Sequence, residues 1–369
     1  MNLSRTLRLT AGWALVVVFF AFGSQITALT ASSALLVIPS ALLFGVILWS
    51  AFGVVEEADH LAISLGEPLG TLVLTLSIVL IEVALISAAT FSSAQPTLGR
   101  DTMFAVLMIV LNGVVGLGLL LGGLRHGEQS YNTQGASAYL AVIIPLAVIS
   151  FVLPNFTVST SVGTLHPVQA VAFSIFTLIL YGVFLAIQTG RHRDFFIAVE
   201  EPVHGHPGHH GHADAQNGSS TLMRQLFWLL VSIGPVVLLS KFLAKYVDVG
   251  LTRLGAPSAL GGLLIAVIVL APEAISAIRA VSANQLQRAV NLCLGASAST
   301  IGLTVPAVLF ISLITGQNLV LGLSPINMVL LVLTLGLSML TFSGPRTTLL
   351  EGAMHLMVFF VYISLIFVG

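Results

Sequence analysis

Long apolar runs, separated by short polar stretches, are the dominant pattern of this chain. A helix of about 20 apolar residues crosses the hydrocarbon core of a bilayer, and eleven runs reach or approach that length. The chain is therefore predicted to be an all-α polytopic membrane protein with about eleven transmembrane helices. The runs lie at residues 12–30, 33–53, 69–91, 102–124, 137–154, 166–187, 224–247, 258–280, 289–315, 325–342 and 346–368.

One polar segment divides these runs into two groups. Residues 189–222 are rich in histidine and also contain glycine and proline, a composition typical of a linker. Residues 33–188 and residues 223–369 each contain five apolar runs, and residues 1–32 form a separate leading helix. Because five is an odd number, the second half is predicted to cross the membrane in the opposite direction to the first, as in the inverted repeats of secondary transporters.

The composition agrees with this pattern. Of the 369 residues, 57% are hydrophobic and only 7% are charged, whereas a soluble domain carries roughly 25% charged residues. The net charge of −1 gives no basic surface for nucleic acid. Cys293 is the single cysteine, so an internal disulfide is excluded. The sequence has no nucleotide-binding loop, zinc-protease motif or catalytic pair, so we expect neither an enzyme nor a cofactor.

The positions of arginine and lysine predict the orientation of the helices. Nine of these residues fall on the side of the N-terminus and four on the other side, so the N-terminus is predicted to be cytoplasmic and the C-terminus outside. The first group is Arg5, Arg8, Arg125, Arg191, Arg193, Arg224, Arg279, Arg288 and Arg346, and the second is Arg100, Lys241, Lys245 and Arg253.

Two glutamates lie deep inside apolar runs. Glu82 and Glu273 are 191 residues apart, and their surroundings match at that offset: GTLVLTLSIVLIEVALIS begins at Gly70, and GGLLIAVIVLAPEAISAI begins at Gly261. A carboxylate at the bilayer centre costs roughly 2.5–3.5 kcal/mol on insertion scales, so a matched pair indicates function. A protonated carboxyl that only bonds a neighbouring helix is the alternative, but it leaves the repeat unexplained. We predict that both glutamates meet near mid-membrane and bind a cation and protons in competition.

Neutral oxygen atoms are predicted to complete this site. Pro272, directly before Glu273, is expected either to break its helix and free a carbonyl oxygen or to produce a simple packing kink. Hydroxyl and amide oxygens suit hard cations, although a hydroxyl can instead bond its own helix. The candidate auxiliary ligands are Asn291, Ser297, Ser299, Thr300, Asn112 and Ser77.

Together these features resemble the cation/proton exchanger branch of the calcium/cation antiporter superfamily, and within it the bacterial ChaA type. The resemblance rests on GEPLGTLVLTLSIVLIEVALIS, on LAPEAISAIRAVSANQLQRAVNLCLGAS followed by LTVP, and on the polar central loop. It implies one leading helix plus two inverted five-helix repeats in a bacterial inner membrane. It also implies antiport of Ca²⁺, or of Na⁺ and K⁺, against protons that bind Glu82 and Glu273.

The sequence departs from the wider family near both glutamates. Val79, Leu80 and Ile81 stand where many members carry a Gly-Asn pair, and Ser299 replaces an amide. Fewer neutral oxygens disfavour strong Ca²⁺ selectivity, since Ca²⁺ takes roughly six to eight oxygen ligands. The alternative is therefore a Na⁺ or K⁺/proton antiporter with little Ca²⁺ transport. In either case we expect alternating access, with one Ca²⁺ exchanging for up to two protons.

Two further groups of side chains are candidates for function. Glu351 and His355, four residues apart near the start of the last helix, could form a proton relay or a structural hydrogen bond. A histidine cluster in the linker could bind Zn²⁺, Ni²⁺ or Cu²⁺ as a regulatory site, or could simply be solvated. Its members are His204, His206, His209, His210 and His212.

Two functions of other classes stay open at this point. A transition-metal transporter would use the histidine cluster, and deletion of residues 203–212 would then abolish transport. A passive cation channel would move cations without any counter-movement of protons.

Overall fold

The computed structural model describes residues 3–30, 34–65, 69–92, 96–197, 219–317 and 319–368. The described residues form eleven long helices, so the predicted all-α class is confirmed. Their bounds are α1 (Leu3–Thr30), α2 (Val37–Leu65), α3 (Leu69–Ser92), α4 (Leu98–His126), α5 (Thr133–Asn155), α6 (Pro167–Thr189), α7 (Ser219–Leu254), α8 (Ala259–Ser282), α9 (Leu286–Thr315), α10 (Pro325–Thr341) and α11 (Leu349–Val368).

Nine of the helices in the described part of the chain are long and apolar enough to span a membrane, and α3 and α10 contain shorter apolar stretches. Several helices extend beyond the predicted runs at their polar ends; α2 continues through Glu56, Glu57 and Asp59 to Leu65. Backbone hydrogen bonds hold such a helix together whether or not its side chains are apolar.

The helix that carries Glu273 is continuous. α8 runs from Ala259 to Ser282 with Pro272 inside it, so the predicted break at the proline is wrong. The carbonyl oxygen of Pro272 accepts a hydrogen bond of 2.8 Å from the Ser276 hydroxyl.

Wide turns of the π type occur instead in the neighbouring helices, at matching places of the two repeats. In α4 the wide turn spans Ile109–Val114, and in α9 it spans Thr300–Thr304. The two turns begin 191 residues apart, the same offset as between Glu82 and Glu273. α4 packs mainly on α8, and α9 packs on both α8 and α3. Because π turns are frequent at functional sites, these matched turns point to the surroundings of the two glutamates.

Apolar side chains form two cores, and the glutamate helices lie between them. The larger core is built mainly by α4, α5, α6 and α9–α11, and the smaller core by α1, α2 and α7. Ile81 of α3 and Ile265 of α8 belong to the smaller core, whereas Ile86 and Leu270 of the same helices belong to the larger one. α3 and α8 therefore each contribute side chains to both hydrophobic cores.

Ion pairs fasten the leading helix to this arrangement. Arg8 Nη2 lies 2.7 Å from Glu56 Oε2, and Arg5 Nε lies 2.7 Å from Glu57 Oε1 on α2. The Arg5 guanidinium also stacks over the Trp228 ring of α7, 4.8 Å from its centre. Positive charge at this end of α1 was expected only to orient the helix, but it also holds α1 against α2 and α7.

The two repeats are joined at both ends of the bundle. At one end β1 (Gln129–Ser130) pairs antiparallel with β2 (Arg346–Thr347). At the other end the backbone N–H groups of Leu321 and Gly322 donate to the Gly163 carbonyl over 2.8 and 2.9 Å. Contacts between the α5–α6 and α9–α10 connections therefore cross from the first repeat to the second.

Candidate cation and proton site

Glu82 lies on α3 and is almost fully buried, with 2% of its surface exposed. The Thr304 hydroxyl donates a hydrogen bond of 2.9 Å to Glu82 Oε2, and Thr300 lies beside the same carboxyl group. Thr300 also donates to the Ala296 carbonyl at 2.9 Å. Among the described residues Glu82 Oε1 has no hydrogen-bond partner. A buried oxygen without a partner is costly unless a proton or a cation satisfies it.

Glu273 lies on α8 and is partly exposed because it lines a cavity. Its Oε2 atom is buried and, within the described ranges, has no hydrogen-bond partner. Glu273 also lines a small second pocket together with Val110 and Val114 of the wide turn in α4 and Cys293 of α9. Glu273 therefore borders both an open cavity and a mainly apolar pocket.

The structure places both glutamates beside α9, where Thr304 bonds Glu82 and Ser299 lines the same cavity as Glu273. Their surroundings nevertheless differ. The repeat offset aligns Thr300 with Ile109, and Thr304 with Gly113. The wide turn of α9 thus supplies two hydroxyl groups near Glu82, whereas the wide turn of α4 offers apolar groups to Glu273. The two repeats therefore have matching wide turns, but the side chains of these turns are polar near Glu82 and apolar near Glu273.

A cavity of about 810 Å³ reaches Glu273 from one end of the bundle, and we refer to it as the deep cavity. Its wall includes Arg193, which follows α6, Gln285 from the α8–α9 connection, and Arg288 at the start of α9. Counted along the eleven described helices, these residues lie on the same side of the membrane as the start of α1. The deep cavity therefore extends from Glu273 toward that side.

Two of the predicted auxiliary ligands line the deep cavity. The Ser299 hydroxyl donates to the Ala296 carbonyl at 3.0 Å. The Asn291 side chain donates to the Phe196 carbonyl at 2.7 Å and accepts from Gln287 at 2.9 Å. The amide of Asn291 therefore ties α9 to the segment after α6, in addition to facing the cavity.

The hydroxyls of Ser297 and Ser77 bond their own helices. Ser297 donates to the Cys293 carbonyl at 3.1 Å, and Ser77 donates to the Val73 carbonyl at 2.7 Å. Neither residue is among the described side chains that line the deep cavity. In both residues the hydroxyl donates a hydrogen bond to a backbone carbonyl of its own helix, which was the alternative to a role as a ligand.

Asn112 forms a buried polar network with Thr334 and His355. Its amide nitrogen donates to the Thr334 hydroxyl at 2.8 Å, and its oxygen lies 3.1 Å from His355 Nδ1. His355 Nε2 lies 3.0 Å from the Thr341 hydroxyl, and both Asn112 and His355 are 0% exposed. The network joins α4, α10 and α11 at the wide turn of α4.

Glu351 has a separate role at the start of α11. Its carboxylate accepts hydrogen bonds from the Thr348 backbone N–H, at 2.9 Å, and from the Thr348 hydroxyl. No hydrogen bond joins Glu351 to His355 in the described part of the chain. Their interaction is electrostatic only, so a relay between them would need another group to connect them.

The histidine cluster at His204, His206, His209, His210 and His212 lies outside the described residues. Within the described ranges there is no group of three or more histidine, cysteine, aspartate or glutamate side chains that could hold a metal ion.

Residues near the glutamates that sequence reasoning missed include Thr304, Tyr181 and Tyr139. Thr304 stands four residues after Thr300, a spacing that places both side chains on similar sides of a helix. Tyr139 and Tyr181 come from α5 and α6, line the deep cavity, and carry no local sequence signal that connects them to Glu82.

Comparison with known proteins agrees with this fold. The family model described as sodium/calcium exchanger protein matches residues 35–190 and 224–368. The chain is 40% identical over 329 residues to the sodium-potassium/proton antiporter ChaA of Escherichia coli (strain K12), across 87% of this chain and 86% of that protein. It is 25% identical over 335 residues to the Ca²⁺/H⁺ antiporter of Aphanothece halophytica, across 83% of each.

The solved structure of native YfkE shares the fold, with a TM-score of 0.74 at 18% identity over 99% of this chain and 100% of that one. The family model thus matches both halves of the chain. The chain therefore belongs to the sodium/calcium exchanger protein family, in the branch of ChaA-type cation antiporters.

Proposed function

We propose that this chain is a secondary active antiporter that exports cations in exchange for protons by alternating access, with Glu82 and Glu273 binding cation and protons in competition. The observation that carries the proposal is that each of the two carboxyl groups has one buried oxygen with no partner among the described residues. A bound cation or a proton satisfies such an oxygen, but the same oxygen cannot hold both.

Coupling follows from the cost of an empty site. Two ionised carboxylates without a cation or protons leave uncompensated charge in a medium of low dielectric constant. The passage of an empty, charged site from one side to the other is therefore disfavoured. A site that holds a cation or protons avoids this cost. The site therefore carries a cation in one direction and protons in the other.

We further propose that the deep cavity faces the cytoplasm of a bacterial cell, across the inner membrane. Support comes from the excess of arginine on that side and from the position of the cavity beside the linker end of α6. A cation then enters from the cytoplasm at Glu273, and protons leave Glu273 to the cytoplasm.

Na⁺ and K⁺ are the cations that the surroundings support best. Near Glu82 the two described side-chain hydroxyls are Thr300 and Thr304, and Glu273 faces Val110 and Val114. This oxygen supply is small for Ca²⁺, which takes roughly six to eight oxygen ligands. The 40% identical relative is named a sodium-potassium/proton antiporter. Ca²⁺ is the second candidate, since two carboxylates neutralise it and the 25% identical relative is named a Ca²⁺/H⁺ antiporter.

The direct test is proton movement in proteoliposomes that contain the full-length protein and a pH-sensitive dye. Na⁺, K⁺ and Ca²⁺ are added in turn across a range of pH values. We expect cation-driven proton movement with Na⁺ and K⁺, and a smaller response with Ca²⁺. Cation flux without any counter-movement of protons would indicate a channel and overturn the proposal.

Charge-neutral variants test the two glutamates. We expect Glu82→Gln and Glu273→Gln each to abolish coupled exchange, since glutamine cannot exchange a proton in this range. Glu128→Gln is the control, because Glu128 is exposed, pairs with Arg346 at 3.1 Å, and is not among the described side chains that line the deep cavity. Full exchange in both site variants would remove the glutamates from the mechanism.

A further inference from the structure

One aromatic side chain borders both the deep cavity and the surroundings of Glu82. Tyr181 lies on α6, is 3% exposed and contributes to the wall of the deep cavity together with Glu273. Glu82, by contrast, is not among the described side chains that line this cavity. The two glutamates therefore differ in access from the same side, and Tyr181 stands where that difference arises.

The ring of Tyr181 fits a notch in the wide turn of α9. A Cβ atom added to Gly302 would lie 2.7 Å from Tyr181 Cγ, so the ring occupies the space that a side chain at Gly302 would need. Gly302 is the central residue of Thr300–Thr304, and Thr304 bonds Glu82. The ring is thus seated directly against the turn that contacts the buried carboxyl group.

Aromatic packing joins Tyr181 to the polar wall of the deep cavity. The Phe184 ring packs against both tyrosines, with ring centres 6.2 Å from Tyr181 and 5.0 Å from Tyr139. The Tyr139 hydroxyl accepts a hydrogen bond of 2.7 Å from Gln188, and both of these residues line the deep cavity. Tyr181 therefore packs on the turn that bonds Glu82 and also belongs to the wall of the cavity.

We propose that Tyr181 is the gate between the deep cavity and Glu82, and that its ring, seated on Gly302, closes Glu82 off while Glu273 stays accessible. A cation that enters the deep cavity then meets Glu273 first and reaches Glu82 only after the ring has moved. The order of binding rests on the proposed antiport function, but the closure itself concerns access and can be measured without transport.

The test is chemical labelling of carboxyl groups in the detergent-solubilised full-length protein. A water-soluble carbodiimide with an amine nucleophile modifies accessible carboxyls, and mass spectrometry of peptides quantifies Glu82 and Glu273 separately. In the parent protein we expect Glu273 to be labelled about tenfold faster than Glu82, because labelling of Glu82 requires a local opening. Equal labelling of both glutamates would overturn the proposal.

Three variants examine the gate. We expect Tyr181→Ala to raise the labelling rate of Glu82 by about tenfold, toward that of Glu273, by removing the ring. Tyr181→Phe keeps the ring and should leave Glu82 protected. Gly302→Ala fills the notch and displaces the ring, so Glu82 should become reactive although no side chain is lost. This last variant keeps the proposal testable if Tyr181→Ala does not fold.

Val183→Ala is the matched control, because Val183 lies on the same helix with 51% of its surface exposed. Its labelling pattern should equal that of the parent. An unchanged rate at Glu82 in both Tyr181→Ala and Gly302→Ala would exclude the gate even if Glu82→Gln abolishes exchange. Conversely, exchange that survives both Glu→Gln variants would exclude the proposed function and leave the labelling result intact.

Discussion

Thr304 donates its hydroxyl hydrogen bond to Glu82 across 2.9 Å, and this bond joins the second repeat to the buried carboxyl group of the first. A hydrogen bond to a charged group contributes about 1.5–3 kcal/mol. Thr304→Val keeps the shape of the side chain but removes the donor. We expect the KM for the cation to rise by about tenfold or more, since about 1.4 kcal/mol corresponds to a factor of ten. The KM is obtained from initial rates of proton release measured at a series of cation concentrations.

Thr315→Val is the control for that change. Thr315 lies at the end of the same helix, is exposed, and bonds only its own helix, through the Ile311 and Ser312 carbonyls. It should leave the KM unchanged. A Thr304→Val protein with the parent KM would mean that the bond does not stabilise the cation-bound form.

The network around Asn112 predicts a stability effect. Asn112→Leu removes the group that bonds His355 Nδ1 and the Thr334 hydroxyl oxygen in a fully buried place, although His355 Nε2 keeps Thr341. Each unsatisfied buried group costs about 1–3 kcal/mol, so the unfolding temperature should fall by several degrees. Thermal unfolding in detergent, followed by intrinsic fluorescence, measures the change.

Asn327→Leu provides the comparison, since Asn327 takes part in the cap of α10 through its backbone N–H. It should unfold within a degree or two of the parent, as surface changes usually do within about 0.5 kcal/mol. A similar fall in the unfolding temperature of both variants would show that the buried network does not stabilise the protein more than a cap residue does.

Close packing of α4 on α11 depends on glycine. A Cβ atom at Gly352 would collide with the backbone nitrogen of Leu120, and one at Gly116 would lie 2.8 Å from the Leu356 nitrogen. Because backbone cannot move aside as a side chain can, Gly352→Ala should destabilise the protein by about 1–3 kcal/mol. Gly336→Ala, with nothing within 4 Å of the added atom, should be neutral or slightly stabilising. Equal unfolding temperatures for the two variants would contradict the packing argument.

The ion pair of Glu57 with Arg5 is predicted to matter more than an exposed pair. Glu57 is 5% exposed, so Glu57→Gln leaves Arg5 with a weakened partner near the core and should cost about 1–2 kcal/mol. Glu128→Gln removes an exposed pair, which is worth about 0–1 kcal/mol. Chemical unfolding of both variants in the same detergent compares them, and an equal loss would place the Arg5 pair among ordinary surface contacts.

Much of the fold could be predicted because the membrane imposes the pattern. The apolar runs indicated the number of helices, and the odd number per half indicated the inversion. The matched positions of Glu82 and Glu273 pointed to two carboxyl groups that the fold places beside α9, since a charged residue inside a long apolar run has few explanations. These conclusions needed only the apolar pattern of the sequence and the spacing between the two glutamates.

The neighbours of the glutamates were harder to predict because several contacts depend on helix packing. Ser77 and Ser297 look like ligands in sequence, but their hydroxyls bond their own helices. Asn112 seemed to belong beside Glu82, yet it bonds Thr334 and His355. Thr304 contacts Glu82 only because α9 crosses α3 at a wide turn, and the residues of that turn form no local pattern that indicates a π helix.

The wide turn in α9 has a consequence for the rest of that helix. A regular helix advances about 100° per residue, so the extra residue of a π turn rotates everything after it by about that angle. The segment before the turn, Leu286–Ser299, packs on α8 and α5, whereas the segment after it, Val305–Thr315, packs on α6 and α3. The π turn thus rotates the second part of α9 relative to the first, so that one continuous helix packs on two different sets of helices. A regular helix through the same residues would turn one half of α9 away from its partners without changing any side chain.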